Sequence, residues 1–203
     1  MSALSARAHY KLLLQIVLGL TPFLIVGLIL IGILRWGEAI PFTASLFVPD
    51  EFSYLTVALL GLSAGTIIVL ISVGIIIQTK TELPSSEGAD TIHQIMSTPS
   101  GIAVSSLGGS LFEEFFFRGV LIGLFIGHSP AMDWGVILIS SFLFWIIHVP
   151  QYKGVYVAYA LVFINGLIFA LLFYYTGSLI PAILAHAIYN VGIGIYFTHK
   201  HIK

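Results

Sequence analysis

The 203-residue chain contains no cysteine, which excludes a thiolate nucleophile, a disulfide framework and Cys-ligated zinc. It leaves the redox compartment open, because the absence fits either side of a membrane. Charge is nearly as scarce. Asp, Glu, Lys and Arg make up 8% of the residues, against about 25% in a soluble domain. With 58% hydrophobic residues and a mean hydropathy of +1.05, the chain must use lipid as its solvent. Its formal net charge is -1, and it has no basic cluster and no nucleic-acid-reading motif, so no nucleic-acid partner is expected.

What the chain does have is apolar runs. A hydrocarbon core about 30 Å thick takes roughly 20 apolar residues as helix, and six segments meet or approach that: 12–34, 52–77, 101–127, 134–149, 155–175 and 178–198. The fourth is short, with Pro150 marking its end. The first follows Arg7 and Lys11 and exceeds the roughly 7–15 apolar residues of a cleavable signal, so it reads as a retained anchor. Turn formers occupy the connections: Pro41, Pro49, Pro84 to Gly88, Pro99, Ser129-Pro130 and Thr176-Gly177. The expected fold is an all-α integral membrane bundle of about six transmembrane helices, forming one membrane domain over 1–203. With six spans, Arg7, Lys11, Lys80, Lys153, Lys200 and Lys203 share one side and Arg35 stands alone on the other. The positive-inside bias then puts both termini in the cytoplasm, and the short loops suggest a prokaryotic plasma membrane.

The segment LFEEFFFRGV, residues 111–120, breaks the pattern. It places Glu113, Glu114 and Arg118 inside the third span, where each ionised group costs at least about 2.5–3.5 kcal/mol. Glu114 and Arg118 are four apart with the acid first, the favourable order for an ion pair on one helix face. Glu113 is rotated about 100° from Glu114 and needs another partner or a raised pKa, as a general base would. The bland reading is a buried pair that pins packing beside a protonated Glu113. His148 ends the next aromatic-rich span, where an interfacial role is the simpler reading. His186 and Asn190 share a face of the last span, and helix–helix hydrogen bonding would account for them singly.

Depth links these residues. At about 1.5 Å per residue, Glu113 lies roughly 18 Å from the cytoplasmic end of its span, and His148, Asn190 and His186 lie about 9, 12 and 18 Å from the same side. An acid, two histidines and a carboxamide meeting in a bundle suit amide hydrolysis. Glu113 with His148 would deprotonate a water, and His186 with Asn190 would hydrogen-bond the oxyanion. Three other intramembrane chemistries fit poorly. Ser110 is followed by Leu111 rather than the Gly of a Gly-x-Ser-Gly serine motif, Asp50, Asp90 and Asp133 fall in expected loops, and no His is followed by Glu as in a zincin.

The motifs Glu113-Glu114-Phe-Phe-Phe-Arg118, Phe144-Trp-Ile-Ile-His148 and His186-Ala-Ile-Tyr-Asn190 occur in order on separate spans. So arranged, with RGVL after the first and TGSLIPAILAH leading into the third, the chain resembles the CPBP family. That family covers CAAX prenyl endoproteases of the Ras-converting type and the bacteriocin-processing or immunity proteins also called Abi. The resemblance spans about 101–195, making 101–198 a four-span catalytic core and leaving 1–100 as two spans without signature. It implies Glu113 and His148 activating water, His186 and Asn190 at the oxyanion, Glu114 and Arg118 in support, and a peptide or membrane-protein substrate, prenylated in the CAAX case. Glu113, His148 and His186 would also form a His₂Glu zinc set. A metal-free glutamate mechanism is preferred, because a carboxylate bound to zinc cannot also be the base.

Two other classes of function stand beside the protease: a non-catalytic membrane immunity or scaffold protein, and a small proton-coupled transporter using Glu113 and the histidines as a relay. Several residues are set aside. His9, His199 and His201 read as headgroup or solvent contacts, His93 and His128 as loop residues, and Phe115 to Phe117 as packing or lipid contact. Asn165 reads equally as helix glue or as an extension of the site, and Gly108-Gly109 as a close approach or a bend.

Overall fold

In lipid every backbone polar group must find a partner within the chain, which leaves helices or closed barrels. A computed structural model describes residues 6–82, 94–95 and 98–200, and among them it contains helices and no strand. The elements are α1 (Ala6–Leu34), α2 (Ala39–Ser45) and α3 (Tyr54–Gln78), then a continuous rod. The rod consists of α4 (Pro99–Ala103), a π-helix (Val104–Gly108), α5 (Gly109–Glu114) and a second π-helix (Phe115–Val120). After it come α6 (Pro130–His148), α7 (Tyr156–Thr176) and α8 (Leu179–Lys200). The segments Tyr10–Leu34, Tyr54–Gln78, Pro130–His148, Tyr156–Thr176 and Leu179–Phe197 are long and apolar enough to cross a membrane. The rod takes the place of the third expected span. The protein is thus an all-α integral membrane bundle, as its composition requires.

The boundaries depart from expectation where local chemistry acts. The rod ends at Val120 rather than 127, because wide-turn bonding from Leu121 N to Phe116 O (2.9 Å) and from Gly123 N to Arg118 O (2.9 Å) leads into a turn. Ser129-Pro130 and Pro99 do not stop helices; they start them. Ser129 Oγ accepts from Met132 N (3.3 Å) and Thr98 Oγ1 from Gly101 N (3.1 Å), and the following proline supplies a first helical residue that needs no N–H donor. Asp133 is therefore not in a loop. It is buried in the first turn of α6, accepting from Gly127 N (2.9 Å) and Tyr174 Oη (3.4 Å). Helix α2 was not expected. Most of the long 78–100 loop, with Asp90 and His93, lies outside the described residues.

Wide π turns leave carbonyls to be satisfied from elsewhere. Bonding skips the Phe117 carbonyl as it passes from Leu121 N→Phe116 O to Ile122 N→Arg118 O, and Ser140 Oγ of α6 donates to that carbonyl at 2.6 Å. The flanking phenylalanines pack: Phe115 joins a core with Ile31, Val120, Ile137 and Phe173, and Phe117 one with Phe144 and Val162.

Between helices surrounded by lipid, close packing replaces the hydrophobic effect as the main attraction. The buried stripe of α3, Val57, Gly61, Gly65, Ile68, Ser72 and Ile76, recurs every three or four residues and lies on α8. A Cβ at Gly61 would stand 2.6 Å from Pro181 O, and one at Gly65 2.8 Å from Ala185 O. Bare backbone at these two positions brings α3 against the segment that carries His186. Gly74, on the same helix, has nothing within 4 Å of an added Cβ. Gly65→Ala is therefore expected to destabilise the bundle by about 1–3 kcal/mol through overpacking, and Gly74→Ala to leave it unchanged or slightly more stable. Thermal unfolding of the two variants in one detergent checks this, and equal midpoints would contradict the close-contact account.

Candidate active site

The centre starts from Arg118, a wholly buried guanidinium. Its Nη1 donates to Glu114 Oε1 (3.2 Å), its Nε lies 3.1 Å from Glu114 Oε2, and its Nη2 donates to the Gly166 carbonyl of α7 (2.7 Å). The Nε contact is close in distance but off line for a hydrogen bond. The guanidinium lies 4.4 Å from the Phe144 ring centre, with Phe169 and Phe117 at 5.8 and 5.9 Å, so aromatic faces stabilise the cation where water cannot. Gly166 is required here, because a Cβ would stand 2.9 Å from Phe144 Cδ1 and 3.5 Å from Arg118 Nη2.

Glu114, also fully buried, spends its Oε1 twice: on Arg118 and on His186 Nδ1 at 2.7 Å. A carboxylate paired with arginine only accepts, so His186 carries its proton at Nδ1. The ring is further held flat against Phe169, with centroids 4.9 Å apart at 17°, and edge-on to Phe144. His148 is fixed in the same sense, its Nδ1 donating to Phe144 O at 2.7 Å. Both imidazoles thus turn Nε2 toward Glu113, whose Oε2 lies 3.8 Å from His148 and 4.0 Å from His186. That carboxylate oxygen is buried and has no hydrogen-bond partner among the described residues. Glu113 and His148 keep 15% and 17% side-chain exposure, against 5% for His186, so the site opens at the Glu113–His148 edge.

The structure therefore brings Glu113, His148 and His186 together around one point, with Glu114 and Arg118 immediately behind them. The two acids diverge as expected: Glu114 faces Arg118 and His186 Nδ1, and Glu113 faces the Nε2 atoms of His148 and His186. Asn190, one turn past His186 on α8, is half-buried and makes no hydrogen bond to another described residue. Asn165 is buried on α7 with Nδ2 lacking a partner among the described residues. Sequence reading missed the Gly166 carbonyl, for which no local signal exists. It used Phe144 only as a motif position, although an aromatic one turn before His148 was a cue for a ring beside a buried cation.

The donor chemistry matches a His₂Glu zinc set, with Nδ1 atoms held and Nε2 atoms free, but the spacing does not. Ligands at about 2.1 Å around tetrahedral zinc stand about 3.4 Å apart, closer than the 3.8 and 4.0 Å here. Among the described residues no group of three His, Asp or Glu is placed to hold a metal ion.

The fold and site define a class: an integral membrane helical bundle with a carboxylate–histidine cluster inside it. A match to the family described as type II CAAX prenyl endopeptidase Rce1-like spans residues 96–192, which contain every polar residue of the cluster. Over this segment the chain is similar to that family of CAAX prenyl endopeptidases. No curated protein and no solved structure matches the chain.

Removing Arg118 would strand the Glu114 carboxylate in an apolar interior. Arg118→Ala is expected to cost about 3–5 kcal/mol, seen as a fall in the unfolding midpoint and in the yield of inserted protein. An unchanged midpoint would mean that the pair is not what holds the rod against α7.

Proposed function

We propose that the protein is a glutamate-dependent intramembrane endopeptidase that cleaves a peptide or membrane-associated substrate, of CAAX prenylated type by family analogy. The observation that carries this reading is the buried, unpartnered Glu113 oxygen held before two imidazole nitrogens. Gaps near 4 Å between polar atoms suit a bridging water. A water there would give one proton to Glu113 and hydrogen-bond His148 Nε2 while its oxygen attacks the scissile carbonyl. The C–N bond then breaks as the proton passes from Glu113 to the leaving nitrogen.

His186 and Asn190 would take the oxyanion. Because His186 already donates Nδ1–H to Glu114, it offers a second N–H at Nε2 only as the imidazolium. Asn190 Nδ2 donates in either state. We assign no metal to this chemistry. In this reading the positive-inside bias of the basic residues supports cytoplasmic termini and a reaction in the bilayer half reached from that side.

The test is cleavage of quenched fluorescent peptides, prenylated members included, by detergent-purified wild type and Glu113→Gln. A loss of about 10²–10⁴-fold in kcat with an unchanged unfolding midpoint is expected, and chelators should leave the wild-type rate unaltered. Full cellular function of Glu113→Gln, with no cleavage by either protein, would instead favour a non-catalytic scaffold or immunity role. Stoichiometric zinc lost together with activity would overturn the metal-free mechanism.

A further inference from the structure

If His186 is neutral, its only N–H is committed to Glu114, and the neutral His148 has likewise spent its N–H on the Phe144 carbonyl. The cluster then faces the substrate with two lone pairs, one carboxylate and a single donor from Asn190. An oxyanion in such a surrounding lacks hydrogen bonds. A further donor should stand at this edge of the site, and one side chain there is not used by the chemistry above.

That side chain is Tyr152. Its backbone N–H and that of Gln151 both donate to the His148 carbonyl, at 3.3 and 3.1 Å. The chain therefore continues one more helical turn past α6 and sets Tyr152 four residues beyond His148, on the same side. Its ring packs on the cluster of Phe117, Phe144 and Val162 that surrounds Arg118. It also lines, with Tyr189, Leu161, Val162 and Ile193, a cavity of about 30 Å³, room for about two waters. The side chain is half-buried, and its hydroxyl makes no hydrogen bond to another described residue. Burial and the nearby Glu113 carboxylate push the phenol up to about 12, so it remains a donor throughout the working range.

We infer that Tyr152 is a further catalytic residue, whose hydroxyl donates a hydrogen bond to the substrate carbonyl oxygen as charge develops on it opposite Glu113. No proton is transferred: the phenol keeps its hydrogen, and the water's protons follow the route through Glu113. The inference rests on the endopeptidase reading above.

Tyr152→Phe deletes only the hydroxyl. The expected result is a fall in kcat of about 10²–10³-fold, the effect of removing one oxyanion donor, with KM and the unfolding midpoint near wild type. Because Tyr152→Phe can disturb packing, fluorotyrosines of graded acidity at position 152 give a second readout. A donor to developing charge makes kcat vary systematically with phenol acidity, whereas a packing role leaves it flat. Wild-type kcat in Tyr152→Phe, or no dependence on acidity, overturns the inference while a dead Glu113→Gln leaves the base assignment standing. No cleavage by wild type on any member of the peptide set removes both.

Discussion

A guanidinium in the interior of a lipid-embedded bundle must be answered in full by the protein, and Arg118 is answered from three directions. Glu114 neutralises its charge, the Gly166 carbonyl takes one of its donors and Phe144 covers its face. These partners come from the rod, α7 and α6, so satisfying one cation fixes three elements relative to one another. Glu114 then extends the chain to His186 on α8. Positions of the catalytic candidates follow from how that charge is buried. In this sense the ion pair is less a source of net stability than a reference point, since desolvation offsets much of what such pairs contribute.

The rod carrying the two acids is built for this by being irregular. A uniform α-helix would repeat the Glu113-to-Arg118 segment at fixed angles, whereas π turns on both sides of α5 shift the register and shorten the rise. Ser140 relieves one cost of that widening by bonding the Phe117 carbonyl. Opposite the rod, Gly61 and Gly65 let α3 lie directly on the backbone of α8 at Pro181 and Ala185, which places the residue next to His186 under backbone-to-backbone contact. The site is therefore held by close packing on one side and by a hydrogen-bonded charge chain on the other. Only the Glu113–His148 edge remains partly open.

Much of this was legible in the residues. A soluble core has no use for so few charges, and three ionisable side chains in one apolar span can be tolerated only in company. The four-residue spacing of Glu114 and Arg118 foretold their pair, the 100° offset foretold that Glu113 faces elsewhere, and depths of about 9 to 18 Å from one side of the bilayer foretold that Glu113 meets His148 and His186. Proline was misleading: after Ser129 and Thr98 it marks a first helical turn, because a capping hydroxyl precedes it. Asp133, expected in a loop for the same reason, lies in the first turn of α6. The absence of a hydrogen bond between Asn190 and another described residue could not be read from its register with His186, since a shared helix face says nothing of what lies opposite.

The sequence by itself determined that the chain is a helical membrane protein, where its charges sit along each helix and which of them share a face, because periodicity and hydropathy are local properties. Tertiary structure alone decided that the partner of Arg118 is the carbonyl of Gly166, 48 residues away, and that Glu114 reaches His186, 72 residues away. It alone also turned both Nε2 atoms toward one oxygen of Glu113. Such pairings depend on the rotation and distance between helices. Those are set by small residues, π turns and ring shapes acting jointly, and no single segment encodes them.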